Sequence, residues 1–94
     1  MEKYLIEQIH KTVSDLKMQL DSLETMINKT KVEKYDRHRI ITGFINLEYT
    51  MGKYHAYLSM LDDHELFESF ARLHDANKPV IDRCFHVMEN LYKL

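Results

Sequence analysis

Hydrophobic residues recur along this chain in alternating steps of three and four, the spacing that places side chains on one face of an α-helix. The first run consists of Ile6, Ile9, Val13, Leu16, Leu20, Leu23 and Ile27. The second run consists of Ile40, Phe44, Leu47, Met51, Tyr54, Leu58 and Leu61. The third run consists of Leu66, Phe70, Leu73, Asn77, Val80, Cys84, Val87, Leu91 and Leu94. Because the steps match the a and d positions of a heptad repeat, we predict three long helices that pack along their whole length.

Two short polar segments separate the runs and predict where the helices begin. Residues 30–33 match a capping box, and the acidic segment 62–65 matches a second helix start with an aspartate as its N-cap. The expected helices cover about residues 2–29, 32–61 and 63–93. Because both connections are short, neighbouring helices should be antiparallel. The prediction is a single all-α domain, residues 1–94, folded as an up-down-up three-helix bundle.

Two residues interrupt the pattern of the third run. Pro79 removes one backbone hydrogen bond and crowds the preceding turn, so helix three should either kink there or break near residues 76–78 and restart. The run keeps its phase from Leu73 to Val80, which favours a kink. Asn77 is the one polar residue of the three runs. It can fix the register of the helices, as a buried asparagine does in coiled coils, or bond to a carbonyl group freed by Pro79, and we favour the second.

Composition limits the chemistry that the chain can perform. Its one cysteine, Cys84, belongs to the third run, which predicts a buried and unreactive thiol. No segment approaches the roughly 20 apolar residues of a membrane span, and the beginning of the chain does not resemble a signal peptide. No glycine-rich loop, paired-carboxylate motif or metal-ligand motif is present. We therefore expect a cytoplasmic protein that is not bound to a membrane, has no cofactor and is not an enzyme.

Helix three carries more apolar residues than one packing face needs. Its second row consists of Phe67, Ala71, His74, Ile81, Phe85, Met88 and Tyr92. On helix two, Ile45, Tyr49, Tyr57 and Met60 also lie outside the run. They can be scattered surface residues, with Phe67, Ile81 and Met88 partly covered by the core. We favour a protein interface, most simply that of a two-fold homodimer, on helix three. Its residues are Ile81, Phe85, Met88 and Tyr92.

The six histidines of the chain raise the question of a metal site. Folding the predicted hairpins brings His10, His55 and His74 towards one end of the bundle, where Glu48 can add an oxygen ligand. Their spacing matches no established ligand motif. We therefore favour the simpler interpretation, in which these histidines lie at partly solvated edges of the helix contacts.

Charge is distributed unevenly between the two ends of the predicted bundle. The candidate anion-binding residues around the first connection are Lys31, Lys34, Tyr35, Arg37, His38 and Arg39. Acidic residues gather at the opposite end, around the segment 62–68. A basic tip that carries an aromatic residue can bind a phosphate, a nucleotide or a nucleic-acid backbone. An ordinary solvated turn explains the same residues, because the helix dipole favours lysines at the end of helix one, and we favour that interpretation.

These patterns favour a small, non-enzymatic interaction or regulatory protein. We expect it to bind a protein partner through its helical faces and to self-associate as a dimer. The second hypothesis is a module that binds an anionic ligand, a nucleotide or a nucleic acid through the basic tip around residues 29–39. The third hypothesis is a metal-binding helical bundle.

Overall fold

The computed structural model describes residues 1–28 and 33–92, except for the side chain of Tyr35. Three helices account for nearly all of this part of the chain: α1 spans Glu2–Ile27, α2 spans Lys34–Asp63 and α3 spans Phe67–Tyr92. No strand occurs in these two ranges. Each helix contacts both of the others, and α1 packs most extensively against α2. The predicted all-α three-helix bundle is therefore confirmed.

The helices lie side by side in a narrow rod of 48 × 18 × 17 Å. Near the start of α1 and α3, Ser69 Oγ donates a hydrogen bond of 3.1 Å to Glu2 Oε2. Further along both helices, Arg83 Nη2 donates a bond of 2.8 Å to Glu24 Oε2. α1 and α3 therefore run in the same direction. Because α2 is joined to each of them by a short connection, it runs in the opposite direction.

One side of each helix forms the core. The most completely buried side chains are Leu5, Ile9, Leu16, Leu20, Leu23, Leu47, Tyr54, Leu61 and Cys84. All of these except Leu5 belong to the predicted runs. At the two ends of α1 the core takes Leu5 and Met26, whereas Ile6 and Ile27 are half-buried. A straight helix has 3.6 residues per turn, so a strict heptad row drifts away from the contact face at its ends.

The first residues of α2 are stabilised by a capping box. Glu33 is the N-cap, and its backbone N–H donates a hydrogen bond of 3.3 Å to Asp36 Oδ2. The capping box predicted at residues 30–33 falls largely outside the described residues.

The end of α2 differs from the prediction because the acidic residues 62–63 belong to its last turn. The helix closes in a Schellman motif, in which the Leu66 N–H donates a hydrogen bond of 2.9 Å to the Leu61 carbonyl. Glu65 adopts the left-handed backbone conformation of this motif, with φ 58°. The two aspartates therefore do not cap α3, which begins at Phe67, later than predicted.

α3 continues without interruption through Pro79, so the chain does not break at residues 76–78, and the kink stays a prediction. The prediction for Asn77 is wrong. Its Nδ2 atom is buried without a hydrogen-bond partner in the described chain, so it does not donate to a carbonyl freed by Pro79. Asn77 lies instead beside the Tyr54 hydroxyl, which is also buried without a partner of good geometry. Burial raises the pKa of this hydroxyl, and the neighbouring amide partly offsets the rise.

The two glycines of α2 lie in different surroundings. A Cβ atom at Gly43 would be 2.7 Å from Leu23 Cδ2 and 3.2 Å from Leu23 Cγ. Leu23 is almost completely buried and has little room to move aside. Apart from the adjoining residues and backbone of α2 itself, a Cβ atom at Gly52 would meet no heavy atom of the described chain within 4 Å. Gly43 therefore permits the close packing of α1 and α2, whereas no neighbour in this part of the chain requires Gly52.

We predict that alanine at these two positions changes stability in opposite directions. Gly52→Ala should raise the free energy of unfolding by about 1 kcal/mol, because alanine is the better residue in the middle of a helix. Gly43→Ala should lower it by about 1 kcal/mol, because overpacking against Leu23 exceeds the same gain in helix propensity. Urea denaturation of both variants at low protein concentration, followed by circular dichroism, measures the two changes. Equal stability of the two variants would show that α1 and α2 are not in close contact at Gly43.

Candidate functional site

The four residues of the predicted α3 interface do not share one environment. Ile81 is buried in the core, and Met88 is half-buried against it. Phe85 and Tyr92 are exposed over 55% and 79% of their surface. The Tyr92 ring contacts Phe44 of α2 edge-to-face, with 5.6 Å between the ring centroids. Only Phe85 and Tyr92 are therefore available to a partner, and Tyr92 lies at the edge where α3 meets α2.

A larger apolar surface lies on α2. Ile41, Ile45 and Tyr49 follow one another at four-residue intervals and are exposed over 58%, 58% and 69% of their surface. Gly52 and Ala56, both exposed, continue this row at helical spacing. These five residues form the α2 outer face, on the side of the helix opposite to its buried residues.

The α2 outer face makes α2 apolar on two opposite sides. Leu47, Tyr54 and Leu61 form its core side, where both α1 and α3 pack. A helix that is apolar all round is normally buried all round. Within the described chain, however, the α2 outer face stays exposed to solvent.

The sequence pattern gives only part of this surface. It places Ile45 and Tyr49 outside the second run, together with Tyr57 and Met60, which prove to be half-buried against the core. Ile41 is missing from that set. The signal that identifies it is the four-residue spacing that Ile41 shares with Ile45 and Tyr49.

Charged side chains flank the α2 outer face without interrupting it. Helical geometry places Glu48 and Lys53 on opposite edges of the face. Lys53 Nζ lies 5.1 Å from the centroid of the Tyr49 ring, a cation–π contact that helps to hold this ring against α2. His55 follows Glu48 on its edge, and its Nδ1 atom lies 2.8 Å from the Met51 carbonyl oxygen.

The structure describes the side chains of four of the six residues of the predicted basic tip. Lys31 and the side chain of Tyr35 lie outside the described residues. The other four, all exposed, are Lys34, Arg37, His38 and Arg39. Arg37 and Arg39 project to nearly opposite sides of α2, because two residues correspond to about 200° of helical rotation. The described part of the tip is therefore not one positive surface.

His38 and Arg39 line a groove between α1 and α2. The groove has a volume of about 430 Å³, and its other lining residues are Ser22, Met26, Thr42, Gly43 and Asn46. The Thr42 hydroxyl donates a hydrogen bond of 3.0 Å to the His38 carbonyl. The groove thus combines a guanidinium and an imidazole with hydroxyl and amide groups, a set of donors that suits an anion.

Arg83, a further cation near this end of the bundle, is engaged within the chain. Its Nε and Nη2 atoms each donate a bond of 2.8 Å to the Glu24 carboxylate, and Nη2 also donates to Asp21 Oδ1 at 2.8 Å. The hydrogen bonds from Arg83 lower the pKa of Glu24, and the two carboxylates raise the pKa of Arg83. Arg83 therefore fastens α3 to α1.

The three histidines of the predicted metal site do not form a ligand group. Among the described residues, no three His, Cys, Asp or Glu side chains are placed to hold a metal ion. His74 Nδ1 lies 3.3 Å from Asp75 Oδ1, and its ring stacks on Phe70. His55 is bonded to its own helix, and His10 is exposed on α1.

Cys84 is fully buried, as predicted, and burial raises the pKa of its thiol to about 11. A thiol in this environment is protonated at neutral pH. Since the thiolate is the nucleophilic form of cysteine, Cys84 fills the core and does not offer a reactive group.

Comparisons with known proteins leave the function to be argued from the surface of the bundle. No family model, no curated protein and no solved structure matches the chain. Of the helices in the described ranges, none combines the length and the apolar character that crossing a membrane requires.

We predict that Cys84 reacts with iodoacetamide only when the bundle opens. At pH 8 a thiol with a pKa of about 11 is almost entirely protonated, whereas the unfolded thiol is partly ionised. The native protein should therefore be alkylated at least about a hundredfold more slowly than the protein in urea. Mass spectrometry of samples quenched at intervals measures both rates. Rapid alkylation of the native protein would show that α3 separates readily from α1 and α2.

Proposed function

We propose that this chain is a small, non-enzymatic interaction protein with a regulatory role in the cytoplasm. It binds a protein partner through the α2 outer face and the exposed pair Phe85 and Tyr92 of α3, and it self-associates. The observation that carries this proposal is the exposure of Ile41, Ile45 and Tyr49 on a helix whose opposite side already forms the core.

A partner would provide the apolar surroundings that these side chains lack within the chain. Complete burial of a large aliphatic or aromatic side chain contributes about 1.5–3 kcal/mol, and each of these three is more than half exposed. Isoleucine and tyrosine are also poorer helix formers than the lysine, glutamate and arginine that usually fill exposed helix positions. The composition of the α2 outer face therefore favours binding over a purely structural role.

We predict that Ile45→Glu weakens the binding of the natural protein partner by at least about tenfold, because it places a charge in the centre of the apolar surface. Immobilised wild-type and variant proteins are incubated with an extract of the native cell, and the retained proteins are compared by quantitative mass spectrometry. Phe85→Glu tests in the same way whether the exposed pair on α3 belongs to the surface.

Met18→Glu is the matched control for this experiment. Met18 is an apolar residue of α1 with 68% exposure, so the variant carries the same new charge on a comparable side chain outside the proposed surface. It should retain the partner, and all variants should keep the helix content and melting temperature of the wild type. Retention of the same proteins by the wild type and Ile45→Glu would contradict the proposed function.

A second function is favoured by a separate observation, the groove between α1 and α2. We propose that this groove binds an anionic group, such as the phosphate of a nucleotide or of a nucleic acid. His38 and Arg39 supply positive or ionisable donors, and Ser22 and Asn46 supply neutral ones. Contacts of this kind are charge-assisted and weaken steeply as the salt concentration rises.

We predict that Arg39→Ala weakens this binding by about tenfold, which corresponds to one lost charge-assisted hydrogen bond. Fluorescence anisotropy with a labelled nucleotide and a labelled single-stranded oligonucleotide at low salt measures the affinity. His38→Ala should have a smaller effect in the same direction. Arg37→Ala is the control, because it removes the same charge from the opposite side of α2. Equal losses in Arg37→Ala and Arg39→Ala, or no binding at low salt, would exclude the groove.

A further inference from the structure

We infer that the α2 outer face binds a second copy of this chain, with the two α2 helices packed antiparallel about a two-fold axis at the level of Thr50 and Met51. The inference rests on the proposed function and specifies the partner, the surface and the orientation. In a two-fold dimer both copies use the same surface. Each residue must therefore suit the residue that the axis brings opposite to it.

The large and small residues of the α2 outer face are arranged for this pairing. Ile45 and Tyr49 occupy its N-terminal half, and Gly52 and Ala56 occupy its C-terminal half. The axis places Tyr49 opposite Gly52 of the second copy and Ile45 opposite Ala56 of the second copy. Ile45 and Tyr49 thus each meet a small residue, and Ile41 lies towards the end of the contact, opposite Met60 of the second copy. A parallel pair would instead bring identical residues together, and the glycine layer would leave a gap.

No contact within the described chain explains why residue 52 is a glycine. A glycine in the middle of a helix costs about 1 kcal/mol relative to alanine, and apart from the adjoining residues and backbone of α2 itself, no heavy atom of the described residues lies within 4 Å of a Cβ built there. Gly43 has an evident reason, the close approach of Leu23. In the dimer, Gly52 would have the same role as Gly43. It lies opposite the Tyr49 ring of the second copy and lets the two α2 helices approach closely.

Polar side chains at the ends and along one edge of the face can pair by hydrogen bonds in this orientation. An antiparallel two-fold pair brings each edge of the helix beside the same edge of the second copy. Glu48 therefore lies beside His55 of the second copy, and this contact occurs twice. At the ends of the face, His38 lies opposite Asp63 of the second copy, again twice.

The other edge carries Lys53 of both copies. Each ammonium group lies over the Tyr49 ring of its own chain, 5.1 Å from the centroid. The axis places Asn46 of the second copy beside it, and the two lysines are offset by about 7 Å along the helices. An aromatic ring and an amide oxygen are both favourable neighbours of an ammonium group, so this edge accommodates the pair.

The size of the surface indicates a dimer of moderate affinity. From His38 to Asp63 the two helices can stay in contact over about 38 Å. The three bulky side chains expose on the order of 350 Å² per copy, and a standard interface takes about 800 Å² from each partner. The small and polar residues beside them supply the remainder. We therefore expect a dissociation constant in the micromolar range.

Sedimentation equilibrium tests the dimer and the place of Gly52 in it. The wild type should have twice the monomer mass of 11.3 kDa at high micromolar concentration and the monomer mass well below the dissociation constant. Gly52→Leu should remove the dimer, because leucine fills the space that Tyr49 of the second copy needs. The same variant should raise the melting temperature of the monomer, because leucine is a better helix former than glycine. Opposite changes in association and in melting temperature separate lost binding from lost folding.

A size exchange provides a rescue. In the double variant Tyr49→Ala, Gly52→Leu, the new leucine faces the new alanine of the second copy, so the affinity should return to within about tenfold of the wild type. Met18→Glu, outside the α2 outer face, should leave the dimer unchanged. A dimer that Gly52→Leu leaves intact would overturn the inference and direct attention to Phe85 and Tyr92.

Disulfide cross-linking tests the orientation. Ile45→Cys and Ala56→Cys should form a disulfide when the two variants are mixed, because the antiparallel pair brings these positions together. Neither variant should form one alone. The native Cys84 is buried and does not interfere. Disulfides within each separate variant would indicate a parallel pair and overturn the inference.

The result for the wild type also separates this inference from the proposed function. A wild type that is monomeric at every accessible concentration would overturn the dimer. If Ile45→Glu then still loses a captured protein, the proposed function stands and a different protein occupies the face. If Ile45→Glu and the wild type retain the same proteins, both proposals fail.

Discussion

The packing of Leu23 of α1 on Gly43 of α2 is the contact on which the arrangement of this bundle depends. Because Gly43 has no side chain, the two helices approach closely there, and α1 and α2 form the most extensive of the three helix contacts. α3 completes the core against this pair, and Arg83 fastens it to α1 through Glu24. The groove that His38 lines opens beside the same glycine. The close packing of α1 on α2 and the position of the groove therefore both depend on the absence of a side chain at Gly43.

The outward sides of α1 and α2 differ in a way that the fold does not require. Both helices contribute one side to the same core, and each leaves the opposite side to solvent. On α1 the exposed surface is mainly polar, with Tyr4 and Met18 as isolated apolar residues. On α2 it presents Ile41, Ile45 and Tyr49 in one row. Packing of the bundle explains neither the row nor the absence of charge along it, whereas the proposed interaction outside the chain would explain both.

The fold could be predicted from the sequence because the core residues of each helix recur in steps of three and four, a spacing that fits a helix and not a strand. The helix boundaries were harder to predict from the sequence. The aspartates at 62–63 are residues that commonly occupy an N-cap, and only the backbone geometry around Glu65 shows that they lie at the end of α2. The residues exposed at the surface were the hardest to predict from the sequence. Ile81 and Phe85 look equivalent in the sequence, yet one is buried and the other is exposed, because the position of α2 against α3 decides which edge is covered. The role of a glycine was also hard to predict, because it depends on which side chain packs against it and the sequence does not show that contact.

The stability of so small a bundle gives the exposed face a further consequence. The described chain contains three buried polar atoms without hydrogen-bond partners, namely Gln19 Oε1, the Tyr54 hydroxyl and the Asn77 amide nitrogen, and groups of this kind cost about 1–3 kcal/mol each. No disulfide compensates for them, since Cys84 is the one cysteine of the chain. Any partner that binds the folded α2 but not the unfolded chain adds to the free energy of unfolding by mass action. Binding through the α2 outer face would therefore also stabilise the fold, so the abundance of the partner would control how much of the chain is folded as well as how much is bound.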